Sequence, residues 1–134
     1  MKLTAKTQKW FEIPGDADGA KVQILHLKPG EIQRIESGTS EWNGRLVGEE
    51  FLSELKYNPA KQLRNLRMAA LVDWKGFFDE DGEPLKCSTK SKDLYFDEDP
   101  ILTDDGKRFS ELIDGFRAEL AESLRPQEEQ AEGN

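Results

Sequence analysis

The stretch that most constrains the fold runs from Phe109 to Leu124. Phe109, Leu112, Ile113, Phe116, Leu120 and Leu124 recur at i, i+3, i+4, i+7, i+11 and i+15, the spacing of a single apolar stripe on a helix. A stripe of that length predicts a helix of about five turns. Asp104 and Asp105 precede it, where carboxylates favour a helix N-terminus, and Arg125-Pro126 predicts its end. A one-sided helix is stable only if another element covers its apolar side, so the rest of the chain must supply a matching face. The 134 residues fit one domain of ordinary size. The expectation is a single globular domain over residues 1–125 and an acidic, disordered tail over 126–134, which has no large apolar residue.

The N-terminal part supplies candidates for that face. Residues 7–13 and 20–27 read as strands, with Val22 and Ile24 on one face together with His26, and Leu25 and Leu27 on the other. Pro14-Gly15-Asp16-Ala17-Asp18-Gly19 between them is dense in turn formers and predicts a hairpin with a long loop. Pro29 suits the first turn of a short helix that carries Ile32 and Ile35 and ends at Ser37-Gly38-Thr39-Ser40. Residues 45–57 and 62–74 fit both periods. Leu66, Met68, Ala70, Val72 and Trp74 alternate, while Leu63, Leu66, Ala70, Leu71 and Trp74 fit a helix. The unbroken alternation favours two strands, with Asn58-Pro59-Ala60-Lys61 as their connection. Ser88 or Thr89 is placed to cap a helix over 89–95. The predicted fold class is α+β: an antiparallel β-rich N-terminal half packed with a C-terminal amphipathic helix.

Composition excludes several function classes. There are 27 acidic and 19 basic residues, a net charge of −8, which suits neither phosphate backbones nor general nucleic-acid binding. No run approaches the ~18 apolar residues of a membrane span, and Met1-Lys2-Leu3-Thr4-Ala5-Lys6 has no apolar core of the signal-peptide type. One Cys and one His cannot make an internal disulfide or supply about four Cys/His zinc ligands. These features point to a cytoplasmic protein without metal or cofactor. Lys86 could lower the pKa of Cys87, but nothing else in the sequence supports a Cys87–His26 dyad, and both residues read as structural.

The acids fall into clusters: Asp16-Ala17-Asp18-Gly19, Asp79-Glu80-Asp81-Gly82 and Asp104-Asp105-Gly106. An EF-hand loop needs an acid at position 1, Gly at 6 and Glu at 12. With Gly82 at position 6, positions 1 and 12 are Phe77 and Ser88; with Gly19 they are Pro14 and Leu25; with Gly106 they are Ile101 and Leu112. All three registers fail, and the clusters read as turns. Nucleophile-elbow, phosphate-loop and dinucleotide motifs are missing from the sequence, which argues against an enzyme. Three aromatics stand out as candidate partner contacts. Trp42 lies in the polar stretch Thr39-Ser40-Glu41-Trp42-Asn43-Gly44, where it either folds back on the core or anchors an interface. Phe77 and Phe78 are adjacent, so in extended backbone one of them faces away from the core.

The run Val72-Asp73-Trp74-Lys75-Gly76-Phe77-Phe78-Asp79-Glu80-Asp81-Gly82-Glu83-Pro84-Leu85-Lys86-Cys87-Ser88 resembles small proteins of tailed-phage and prophage tail modules, of the tail-assembly-chaperone-like kind. The shared features are a Val-x-Trp-x-Gly strand end, an acidic Asp-Gly turn, a proline and a helix opened by Ser or Thr. Asn58-Pro59, Trp10-Phe11-Glu12-Ile13-Pro14-Gly15-Asp16 and Leu27-x-Pro29-Gly30-Glu31 are similar too. The resemblance implies a non-enzymatic tail assembly or morphogenesis protein in the bacterial host cytoplasm. It would contact phage tail proteins of the tube or tape-measure type, with self-association as a further option. It carries over no site residues, and it leaves open a chaperone or a minor structural component. The alternative is a small acidic ligand- or divalent-metal-binding domain. A nucleic-acid mimic ranks behind both, because the acids are spread through turns and tail rather than along one element.

Overall fold

The computed structural model describes the backbone of residues 7–38, 40–47 and 50–132, and the side chains of 7–38 and 58–125. The fold is α+β. The elements are β1 (Gln8–Glu12), β2 (Lys21–Leu25), α1 (Pro29–Gly38), β3 (Ser40–Val47), β4 (Glu50–Tyr57), α2 (Pro59–Ala70), β5 (Leu71–Lys75), α3 (Thr89–Glu98) and α4 (Phe109–Glu132). The chain divides into two compact units. Residues 27–66 form one, and the segments on either side of them form the other.

The larger unit is built on an antiparallel sheet of order β1-β2-β5. The expected hairpin is present, with Trp10 opposite Gln23 and Phe11 opposite Val22. The α4 helix lies against β2. Val22, Ile24, Phe109 and Ile113 have no exposed surface, and the Phe11 and Phe116 rings stack at 4.7 Å. The C-terminal stripe therefore meets the N-terminal strands, as its spacing requires. Trp10 does not join this core. It is half-buried, with the Lys75 ammonium 4.8 Å and the Lys21 ammonium 5.8 Å from its ring centroid, so cations cover its face.

The smaller unit contains α1, the hairpin β3–β4 and most of α2. Residues 45–57, read above as one strand, are the end of β3 and all of β4. The hairpin pairs Ser40 with Tyr57 through to Val47 with Glu50. Trp42 lies in β3, and its side chain falls outside the described residues.

Two expectations are corrected. Residues 62–74 are not one strand: they are helix to Ala70 and strand from Leu71. Asn58-Pro59 opens this helix instead of connecting strands. The Asn58 carboxamide oxygen accepts the Lys61 N–H at 3.1 Å, which makes Asn58 an N-cap, and Pro59 takes the first helical position, where a missing N–H costs nothing. At the other end, the Lys92 ammonium donates to the Met68 and Leu71 carbonyls at 2.7 and 2.9 Å, a cation at a helix C-terminus. The second correction concerns α4, which continues through Pro126 to Glu132. Proline removes one helical hydrogen bond there, but the residues that follow are strong helix formers with no glycine before Gly133.

Asp99 joins α3 to α4. It takes the left-handed conformation that ends α3 (φ 43°, ψ 59°). Its carboxylate accepts the Ser110 N–H at 2.8 Å and the Ser110 hydroxyl at 2.7 Å, so a residue eleven positions upstream caps α4. Ser88 caps α3 as expected, accepting the Ser91 N–H.

Candidate functional site

A cleft of about 250 Å³, open on one side, lies within the larger unit. Four segments build it. Ile13, Asp16, Asp18 and Ala20 come from the β1–β2 loop, and Gly76, Phe77 and Phe78 follow β5. Tyr95 comes from α3, and Leu102 from the connection to α4. Its size falls below the ~300–1,000 Å³ of small-molecule and cofactor pockets. It has room for a side chain or two.

Gly76 sets the floor. It has φ +80°, and a Cβ there would lie 2.8 Å from Ala20 Cα and 3.1 Å from Ala20 N. Only glycine lets the two segments approach this closely. Phe77 then turns inward, 6% exposed, into an aromatic cluster with Trp74 and Tyr95 at ring distances of 4.7 and 5.2 Å. Tyr95 also meets Phe109 at 5.3 Å, and the Trp74 indole donates to the Leu85 carbonyl at 2.7 Å. Phe78 turns outward and is 44% exposed. Of the three aromatics singled out from the sequence, Phe77 and Phe78 line the same cleft, and of these two Phe78 is the exposed one.

One acidic turn contributes to this cleft, and the other two follow lining residues in sequence. Asp16 and Asp18 line it, Phe78 leads directly into Asp79–Gly82, and Leu102 leads directly into Thr103–Gly106. The turns share one construction. The side-chain oxygen of the first residue accepts the N–H four residues on: Asp16 from Ala20 at 2.8 Å, Asp79 from Glu83 at 3.0 Å and Thr103 from Lys107 at 2.9 Å. The fourth residue is a glycine at positive φ whose N–H closes the turn onto the first residue's carbonyl. The third residue is an aspartate each time: Asp18, Asp81 and Asp105. Asp105 accepts the Thr103 hydroxyl, which, with Lys107, holds its carboxyl below the usual range. The sequence marks each turn, but it does not show that the first of them and the residues leading into the other two line one opening.

The Asp16 carboxylate is used by the loop's own N–H groups. Burial, reinforced by the Glu98 carboxylate, pushes the Tyr95 phenol up, so it stays protonated at neutral pH. Cys87 is half-buried. Burial pushes its thiol up to about 11, outweighing the opposing pull of Lys92, so it is a poor nucleophile at neutral pH. Among the described residues, no group of three or more His, Cys, Asp or Glu is placed to hold a metal ion. No helix among them is long and apolar enough to cross a membrane.

Comparison of the chain with protein-family models, with curated proteins and with solved structures finds no match.

Proposed function

We propose that this protein is non-enzymatic and acts by binding another protein through the cleft between Asp18, Phe78 and Leu102. The observation that carries this reading is the outward Phe78 in the wall of a cleft whose lining mixes apolar side chains with the Asp16 and Asp18 carboxylates. Burying a whole Phe side chain contributes about 1.5–3 kcal/mol, and close to half of this one remains to be covered, so docking gains roughly 1 kcal/mol at this residue alone. Aromatic residues beside a pocket are the usual anchors of protein interfaces.

The run that resembles phage tail-assembly proteins, Val72 to Ser88, contributes Gly76, Phe77 and Phe78 to the cleft wall. The biological role that follows is tail assembly or morphogenesis in the bacterial host cytoplasm, with a tube or tape-measure type protein as the partner. The test is affinity capture from a phage-induced lysate with the wild-type chain and with Phe78→Asp. Recovery of a tail component by the wild type, and its loss with the variant, supports the reading. Failure to recover any tail component, or equal recovery by both chains, contradicts it.

A further inference from the structure

The partner's chemistry can be narrowed if the cleft is the binding site, and the inference rests on that reading. We infer that the cleft takes an apolar side chain flanked by lysine or arginine, presented on an extended segment of the partner protein. The apolar part is set by Ile13, Phe78 and Leu102. The flanking charge is set by Asp16 and Asp18 in the lining and by the acids that follow Phe78 and Leu102 in sequence. Asp16 and Asp18 stand at one side, Asp79, Glu80 and Asp81 follow Phe78, and Asp104 and Asp105 follow Leu102 by two and three residues. Asp18, the three acids after Phe78 and the two after Leu102 are exposed. Lys107 and Arg108 are the bases next to the third turn, and Arg108 is occupied with the Asp99 carbonyl at 2.8 Å. Lys21 and Lys75, next to Ala20 and Gly76, lie over the Trp10 ring. Acids next to the lining residues therefore still outnumber bases, as they do over the whole chain, whose net charge is −8. Such a surplus of acids attracts basic segments and repels acidic ones, including a second copy of this chain. The protonated Tyr95 adds a hydroxyl donor that suits a backbone carbonyl of an extended segment.

The experiment is an amide-resolved NMR titration of the full chain with three capped peptides centred on Lys-Lys-Phe-Lys-Lys, Glu-Glu-Phe-Glu-Glu and Lys-Lys-Ser-Lys-Lys. The first peptide is expected to shift the Asp16, Asp18, Gly76, Phe78 and Leu102 amides saturably. The other two should bind at least about tenfold more weakly, and raising the salt to about 1 M, where screening acts over ~3 Å, should weaken the first. Equal binding by the glutamate peptide at these amides overturns the charge assignment and leaves the cleft reading standing. Equal binding by the serine peptide overturns the apolar anchor. If neither Phe peptide moves these amides, the cleft reading itself fails. Asp18→Lys, at an exposed turn position, should narrow the preference between the two Phe peptides, and an unchanged preference contradicts the inference.

Discussion

Gly76→Ala and Gly82→Ala form a matched pair that tests how the floor of the cleft is built. The two glycines have nearly the same backbone, φ 80° and φ 79°. The left-handed conformation costs an L residue about 1–2 kcal/mol, and alanine recovers about 0.4–1 kcal/mol by restricting the unfolded chain. At Gly82 an added Cβ meets nothing within 4 Å, so the expected loss there is roughly 0.5–1 kcal/mol. At Gly76 the added Cβ lies 2.8 Å from Ala20 Cα. That atom cannot easily yield, because Ala20 donates to Asp16 at 2.8 Å and accepts from the Ile13 N–H at 2.8 Å. Forcing the two segments apart adds about 1–3 kcal/mol, for a total of roughly 2–4 kcal/mol. Urea unfolding followed by tryptophan fluorescence reads the difference as a lower midpoint at unchanged m. If both variants lose the same stability within ~0.5 kcal/mol, the error expected of such comparisons, then β5 and the β1–β2 loop do not meet at this glycine.

Asp99→Ala removes both hydrogen bonds to Ser110 and leaves alanine at φ 43°. It should cost about 1–2 kcal/mol in thermal unfolding, while Asp99→Asn keeps most of the stability. A wild-type melt for Asp99→Ala would rule out this cap. The Arg67 guanidinium grips the Asp114 carboxylate through two bonds of 2.9 and 2.5 Å, and both side chains are partly exposed. Arg67→Met should therefore lose only about 1 kcal/mol, and less in ~1 M NaCl; a loss independent of salt would mean that packing, not charge, accounts for the contribution of Arg67. With its pKa raised from 9.0 to about 11, Cys87 holds its proton in the fold while the unfolded chain releases it. This contribution to stability is present below pH ~9 and is lost as the pH climbs towards ~11. Alkylation of Cys87 at pH 8 should run about 100-fold slower in the native chain than in urea, in proportion to the thiolate present. Equal rates would contradict its burial.

The parts of the fold that were legible are those where one period dominates. The Phe109–Leu120 stripe announces α4 because its side chains meet one surface, and the 20–27 strand is equally plain. Residues 62–74 were not legible, because the same apolar residues serve either period. Asn58-Pro59, which decides the matter, is both a helix breaker and a helix opener, and the hydrogen bonds that Asn58 accepts from the Lys61 and Gln62 N–H groups distinguish the two roles. The Asp99 cap was hidden because its partner lies on the far side of a loop. The cleft was hidden for a related reason. Ile13, Phe78, Tyr95 and Leu102 come from four separate segments, and no spacing along the chain encodes their meeting. What the sequence did contain were components of the cleft: the first Asp-Gly turn and two adjacent phenylalanines, one buried and one exposed.

The central claim is that this cleft is the surface that meets a partner protein. The most direct measurement places a photoactivatable phenylalanine at position 78 and, as a control, at position 119 on the exposed face of α4, in cells producing phage. The account predicts a crosslink from position 78 to a tail protein, with the crosslinked peptide carrying Lys or Arg beside an apolar residue, and none from position 119. A crosslink to the same protein from position 119 and not from 78 would contradict it.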